Sequence, residues 1–177
     1  MIHANKAHIL LLTGTPGIGK TTVIRAVSSM ISDRHIGGFY TQEIRRAGQR
    51  QGFRLVSFNH LEMVIAHVDF SSTYRVGKYG VDIAAIDEGA EHILSVLSDT
   101  GVYLVDEIGK MECLSSHFIT AMRTLLDSDK PVVATIGKKG GGFMDEVKQR
   151  KDVELWEITR DNRNRIPVRI LDWLAEH

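Results

Sequence analysis

Ile9-Leu10-Leu11-Leu12 is a short apolar run, and Gly14-Thr15-Pro16-Gly17-Ile18-Gly19-Lys20-Thr21 follows one residue later. The spacing G-x-x-x-x-G-K-[ST], set between a buried strand and a helix that begins near Lys20, is the Walker A or P-loop arrangement. Its glycines let the backbone wrap around an anion with the N–H groups turned inward, where a Cβ would obstruct. The helix start adds unpaired N–H donors and a positive dipole end. Lys20 supplies a mobile cation for β- and γ-phosphates, and the Thr21 hydroxyl is placed for a Mg²⁺ ion. A Rossmann dinucleotide site fits poorly, because the glycines read G-x-x-G-x-G.

A second constellation lies downstream. The apolar run Val102-Tyr103-Leu104-Val105 leads into Asp106-Glu107, the pattern of a Walker B strand. Asp106 would hold Mg²⁺, directly or through water, opposite Thr21. Glu107 is the candidate general base that orients and deprotonates an attacking water. A second acid directly after the first favours hydrolysis, since many phosphotransferases need no such water activator.

Further residues carry two readings each. Glu43 could approach the metal or the water, or be a solvated strand-end carboxylate. Thr135 could sense a γ-phosphate or be an ordinary strand-end hydroxyl. Arg160, Arg163 and Arg165, with Asn162 and Asn164 between them, could stack on a base or stabilise transition-state charge, or form a solvated basic loop. Lys138 and Lys139 beside Gly140-Gly141-Gly142 read as a surface loop near phosphate at most. Cys113 reads as a small buried residue, and the eight histidines show no metal-ligand spacing.

The elements that must position these groups alternate. Strands are expected at His8–Thr13, Ile36–Arg46, Val102–Val105, Val132–Ile136 and Val153–Thr159. Helices are expected from Lys20 to Ser32, with Val23, Ile24, Val27, Met30 and Ile31 inside, and from Ile83 to Leu97, with Ile86, Ala90, Ile93, Leu94 and Leu97 inside. Three more follow: one capped by Ser115 or Ser116 and ending at Leu126, one over Phe143–Lys151, and one from Pro167. Alternation of this kind gives an α/β fold with a mainly parallel sheet and helices on both faces. Gly48–Gly80 differs, with short alternating β pieces expected to add antiparallel strands to the sheet within one domain spanning 1–177. Met1–Ala7 reads as a loose lead-in.

The 177 residues, 43% of them hydrophobic, suffice for one domain with a full core. A formal charge of zero gives no electrostatic pull toward nucleic acid or membrane, so neither is an expected partner. One cysteine excludes an internal disulfide framework, and the longest apolar run near the start is too short to cross a bilayer. With no signal-peptide pattern, cytoplasm is the expected compartment, and a monomer or weak oligomer is the expected state.

Taken together, Gly14 to Thr22 (GTPGIGKTT), Gly38-Phe39-Tyr40-Thr41-Gln42-Glu43-Ile44-Arg45 and Asp106-Glu107-Ile108-Gly109-Lys110-Met111-Glu112 resemble the small P-loop nucleoside-triphosphatases, the group containing the cancer-related nucleoside-triphosphatase. Arg75-Val76-Gly77-Lys78-Tyr79, Arg150-Lys151-Asp152-Val153 and Asn162-Arg163-Asn164 extend the likeness over roughly residues 8 to 165. Its most specific piece is the extension of the Walker B strand through Glu112. The resemblance implies a RecA-like core and slow, Mg²⁺-dependent hydrolysis of several nucleoside triphosphates (ATP, GTP, CTP, UTP) to diphosphate and phosphate. It places nucleotide contacts on Gly14 to Thr22 and on Tyr103, Leu104, Val105, Asp106, Glu107, Ile108, Gly109 and Lys110. The family usually has a β-branched residue where this chain has Gly80, a difference expected to affect local packing.

No N-K-x-D guanine reader follows the P-loop, which agrees with low base discrimination. A nucleotide or small-molecule kinase is the alternative enzyme, its β-rich insert covering an acceptor. A nucleotide-controlled binding module, or a subunit that turns over only with a partner, is the alternative from another class.

Overall fold

A computed structural model describes residues 7–177. The expected lead-in over Met1–Ala7 falls, except for Ala7, outside the described residues. In chain order the elements are β1 (Ile9–Thr13), α1 (Lys20–Met30), β2 (His35–Arg46), β3 (Gln49–Ser57), β4 (Glu62–His67), β5 (Arg75–Val76), β6 (Tyr79–Val81) and α2 (Ile83–Ile93). Then come β7 (Thr100–Ile108), a 3-10 turn (Glu112–Leu114), α3 (Ser116–Leu126), β8 (Val132–Ile136), α4 (Phe143–Lys148), β9 (Val153–Glu157) and α5 (Ile166–Ala175).

Among the described residues nine strands form one sheet in the order β5-β6-β4-β3-β2-β7-β8-β1-β9. The pairs β2–β7, β7–β8, β8–β1 and β1–β9 are parallel. From β2 outward, β3, β4, β6 and β5 pair antiparallel, so the β-rich segment prolongs the sheet. Alternation along the strands divides the core. Ile9, Leu11, Tyr103 and Val105 pack with α2, α3 and α4 on one face, and Leu10, Leu12, Val102 and Leu104 with α1 and α5 on the other. A parallel strand buried on both faces reads as a continuous apolar run, which is why β1 and the first half of β7 look as they do.

Three expectations need correction. Helix α1 ends at Met30, which is 46% exposed, and Ile31 turns inward instead. Helix α2 ends at Ile93, and Leu97 is 53% exposed. The cause is Tyr103, buried in β7, whose hydroxyl donates to the Ser95 carbonyl at 2.6 Å and accepts the Leu97 N–H at 2.9 Å. Those bonds tie the segment after the helix to the sheet and end the helical register. Strand β7 runs past Val105 to Ile108, so both acids lie within it, where the ladder to β8 is interrupted between Val105 and Ile108.

Gly80 has a stronger reason than packing preference. A Cβ there would meet the Phe70 carbonyl oxygen at 2.3 Å.

Candidate active site

The P-loop joins β1 to α1 at the carboxyl edge of the sheet. Gly17 and Gly19 adopt φ of 76° and 109°, left-handed conformations that disfavour any residue with a side chain. At Gly14 a Cβ would come within 2.9 Å of both the Ile158 carbonyl and Ile18 Cγ2, so only glycine lets the loop pack against the chain following β9. The Ile18 N–H bonds the Thr15 carbonyl at 3.1 Å, closing the turn. Gly19 caps α1 with no side-chain hydrogen bond, which leaves that helix end with the donors an anion would take.

Asp106 faces the loop. Its carboxylate is almost wholly buried and three threonines surround it. Thr21 Oγ1 donates to Oδ2 and Thr135 Oγ1 donates to Oδ1, each at 2.6 Å. The Thr41 N–H points at Oδ2 from 3.5 Å, and Thr41 Oγ1 donates to the Asp106 carbonyl at 2.6 Å. Parallel pairing brings Thr41 there, since Tyr40 of β2 lies opposite Asp106 of β7. Burial pushes the Asp106 carboxyl above its ordinary range, against the opposing pull of the hydroxyls and of Lys20. A desolvated carboxylate of this kind favours a cation beside it.

Glu107 follows across a cis peptide and projects beside Lys20, with Oε2 3.6 Å from Nζ. Burial raises its carboxyl as well, and the Lys20 ammonium lowers it. Lys20, Thr21, Glu107, Thr41, Tyr40 and Arg25 share the lining of one cavity of 370 Å³. Arg25 lies over the Tyr40 ring at 5.2 Å from its centroid, and both line the cavity.

Against this geometry, a model of the NTPase family matches residues 9–171. The nucleoside-triphosphatase THEP1 of Thermotoga sp. (strain RQ2) is 40% identical over 166 residues, covering 93% of this chain and 94% of that protein. The chain belongs to the nucleoside-triphosphatase family. Within the family, the crystal structure of THEP1 from the hyperthermophile Aquifex aeolicus is similar with a TM-score of 0.85 at 32% identity, over 94% of this chain and 98% of that one. The solution structure of a human cancer-related nucleoside triphosphatase gives 0.81 at 33% identity, over 94% and 97%.

The family resemblance also covered segments that the fold distributes differently. Tyr103, Leu104, Val105 and Ile108 are core residues, and none of them lines the cavity. Arg160, Arg163 and Arg165 are all exposed, and Arg163 reaches the P-loop with its Nη1 3.5 Å from the Ile18 carbonyl. Glu43 lies within β2, not at its end. It lines the cavity with its carboxylate paired to Arg45 and Arg50. Thr135 is fully buried and its hydroxyl is spent on Asp106, which makes it a support for that acid and not an edge hydroxyl. Cys113 is partly buried, and burial pushes its thiol up to about 12, far from nucleophilic readiness. Lys138 pairs with Glu157.

Thr41, Arg25 and Tyr40 were given no role in the sequence. Thr41 and Tyr40 lie in the segment Gly38–Arg45 that carried part of the resemblance, which was the available signal.

Proposed function

We propose that this nucleoside-triphosphatase hydrolyses the Mg²⁺ complexes of ATP, GTP, CTP and UTP, with little preference among bases, to the diphosphate and phosphate. The observation that carries the reading is a cavity lined by Lys20, Thr21 and Glu107, with Glu107 3.6 Å from the P-loop lysine and Thr21 bonded at 2.6 Å to Asp106, buried behind the lining. A hydroxyl and a carboxylate oxygen are hard donors suited to Mg²⁺. Among the described residues no group of three or more His, Cys, Asp or Glu could hold a metal ion. Mg²⁺ commonly keeps few protein ligands and takes the rest from phosphate and water. Thr21 and Asp106 would hold it, and when bound it neutralises charge on the β- and γ-phosphates.

The chain's own residues do the rest. The N–H groups of Gly14 to Thr22 cradle the phosphates, and Lys20 bears on the bridging and terminal oxygens. Glu107 orients a water in line with the γ-phosphorus and takes its proton. The new O–P bond forms as the bond from phosphorus to the β,γ-bridging oxygen breaks, and the diphosphate leaves with that electron pair. Such catalysis is mainly positioning and charge stabilisation. Arg163, whose Nη1 lies 3.5 Å from the Ile18 carbonyl, is a cation at the loop. Low base preference is supported by Asn162, whose amide accepts the Thr159 N–H at 2.8 Å and donates to the Glu157 carbonyl at 2.8 Å. The group in that loop best suited to reading a base edge is thus occupied internally.

Glu107→Gln is expected to keep nucleotide affinity and to lose hydrolysis by at least about 100-fold, the usual worth of a general base. Lys20→Ala is expected to lose both. Unchanged turnover in Glu107→Gln would remove the assigned base. Phosphate release with no acceptor present separates hydrolysis from transfer to a second substrate.

A further inference from the structure

Glu112 is a carboxyl of the Asp106–Glu112 segment that binding and water activation leave unused, and it is nearly inaccessible. Burying a carboxyl in a protein interior is costly unless it is neutralised or hydrogen-bonded. The fold invests in holding this one in place. Glu112 opens the 3-10 turn, with the Cys113 N–H bonded to the Gly109 carbonyl at 3.0 Å and the Ser115 N–H to the Glu112 carbonyl at 3.1 Å. Ser115 then caps α3 by accepting the Phe118 N–H at 2.9 Å, and its hydroxyl also bonds Asp87. The backbone carrying Glu112 is therefore fixed at both ends.

Its side chain returns to the strand end. The backbone N–H groups of Glu112 itself and of Gly109 favour the charged carboxyl, against the larger opposing effect of burial. A Cβ at Gly109 would lie 2.6 Å from Glu112 Oε2 and 3.0 Å from both Glu107 Oε1 and Glu107 Cγ. Two carboxyl groups thus close on the same glycine, one from Glu112 and the other from the residue that faces Lys20.

We propose that Glu112 is a positioning residue: by holding Gly109 it fixes the turn against which the Glu107 carboxylate rests, and so sets where that carboxylate meets the attacking water. This rests on Glu107 being the base. Burial, with Glu107 and Asp106 nearby, raises the Glu112 carboxyl to about 8, so it is mostly neutral at pH 7 and an amide can replace it.

The test is a cycle of variants on the full chain, with phosphate release giving kcat and equilibrium binding of a non-hydrolysable ATP analogue with Mg²⁺ giving affinity. Glu112→Ala is expected to lower kcat about 100-fold, the scale of a small misplacement at a reacting centre, with affinity changed less than about threefold. Glu112→Gln is expected to restore kcat to within about threefold of the parent. In the Glu107→Gln background, Glu112→Ala is expected to add almost nothing, because residues acting through one another are non-additive. Gly109→Ala, which forces both carboxyls off their shared contact, is expected to show the Glu112→Ala pattern and serves if that variant folds poorly.

A full independent loss in the Glu107→Gln background overturns the proposal while leaving Glu107 as base. So does a Gln variant as impaired as the Ala variant, or parental kcat in Gly109→Ala. Retained hydrolysis in Glu107→Gln alone overturns the assigned base, and this proposal with it.

Discussion

Asp106 shows how single side chains set the terms of the site. Its two carboxylate oxygens receive hydroxyls from opposite elements, Thr21 on α1 and Thr135 on β8. Thr135→Val keeps the shape and removes one donor, which leaves a buried carboxylate oxygen short of a partner. A loss of about 1–3 kcal/mol in urea-unfolding stability is expected, together with a lower kcat; parental values for both would show that the bond contributes nothing. Glu112 gives a pH signature in the nucleotide-free protein. Its folded carboxyl titrates near 8 against an ordinary 4.5, so between those values the unfolded chain releases a proton that the folded chain keeps. Stability from this group therefore falls as pH rises through that window. Glu112→Gln cannot ionise, so its advantage over the parent should grow from near zero at pH 4 to about 3 kcal/mol at pH 7. Urea unfolding at a series of pH values reads this directly, and a pH-independent difference would contradict it. The P-loop and the Asp106-Glu107 pair were legible as residues because their spacing is local. The contacts of Thr135 and Thr41 with Asp106 were not, since each depends on which strand lies beside which.

At the scale of elements, the paired strands β2 and β7 carry the heaviest constraint. Gly38 has φ of 94°, and a Cβ there would lie 2.0 Å from the Leu104 carbonyl oxygen. Gly38→Ala is expected to destabilise by more than about 4 kcal/mol, or to prevent folding, because it forces apart the strands that bring Thr41 to Asp106. A folded variant with parental stability would show that the close approach is dispensable. Periodicity gave the order of strands and helices because the core strands are apolar on both faces and the helices on one. It failed at ends. The spacing of Leu97 continues the α2 pattern, and nothing local reveals that the Tyr103 hydroxyl claims the Leu97 N–H. Likewise Asp106-Glu107 looks like the end of a strand because acids rarely lie within one, yet β7 continues to Ile108.

Across the whole molecule, the sheet brings a loop after β1, two acids in β7 and a threonine from β8 to one edge, while the antiparallel strands extend it on the far side of β2. In open α/β sheets that edge is where ligands bind. Binding there couples to global stability: a Mg²⁺ complex of a non-hydrolysable ATP analogue at 100 times its Kd should stabilise the parent by about 2.7 kcal/mol. The corresponding rise in Tm should vanish in Lys20→Ala. The most direct measurement of the central claim is phosphate release from ATP, GTP, CTP and UTP with no acceptor added, with Mg²⁺ and then with the metal chelated. Release from all four that stops on chelation is the expected result. No release without an acceptor, or equal release after chelation, would contradict it.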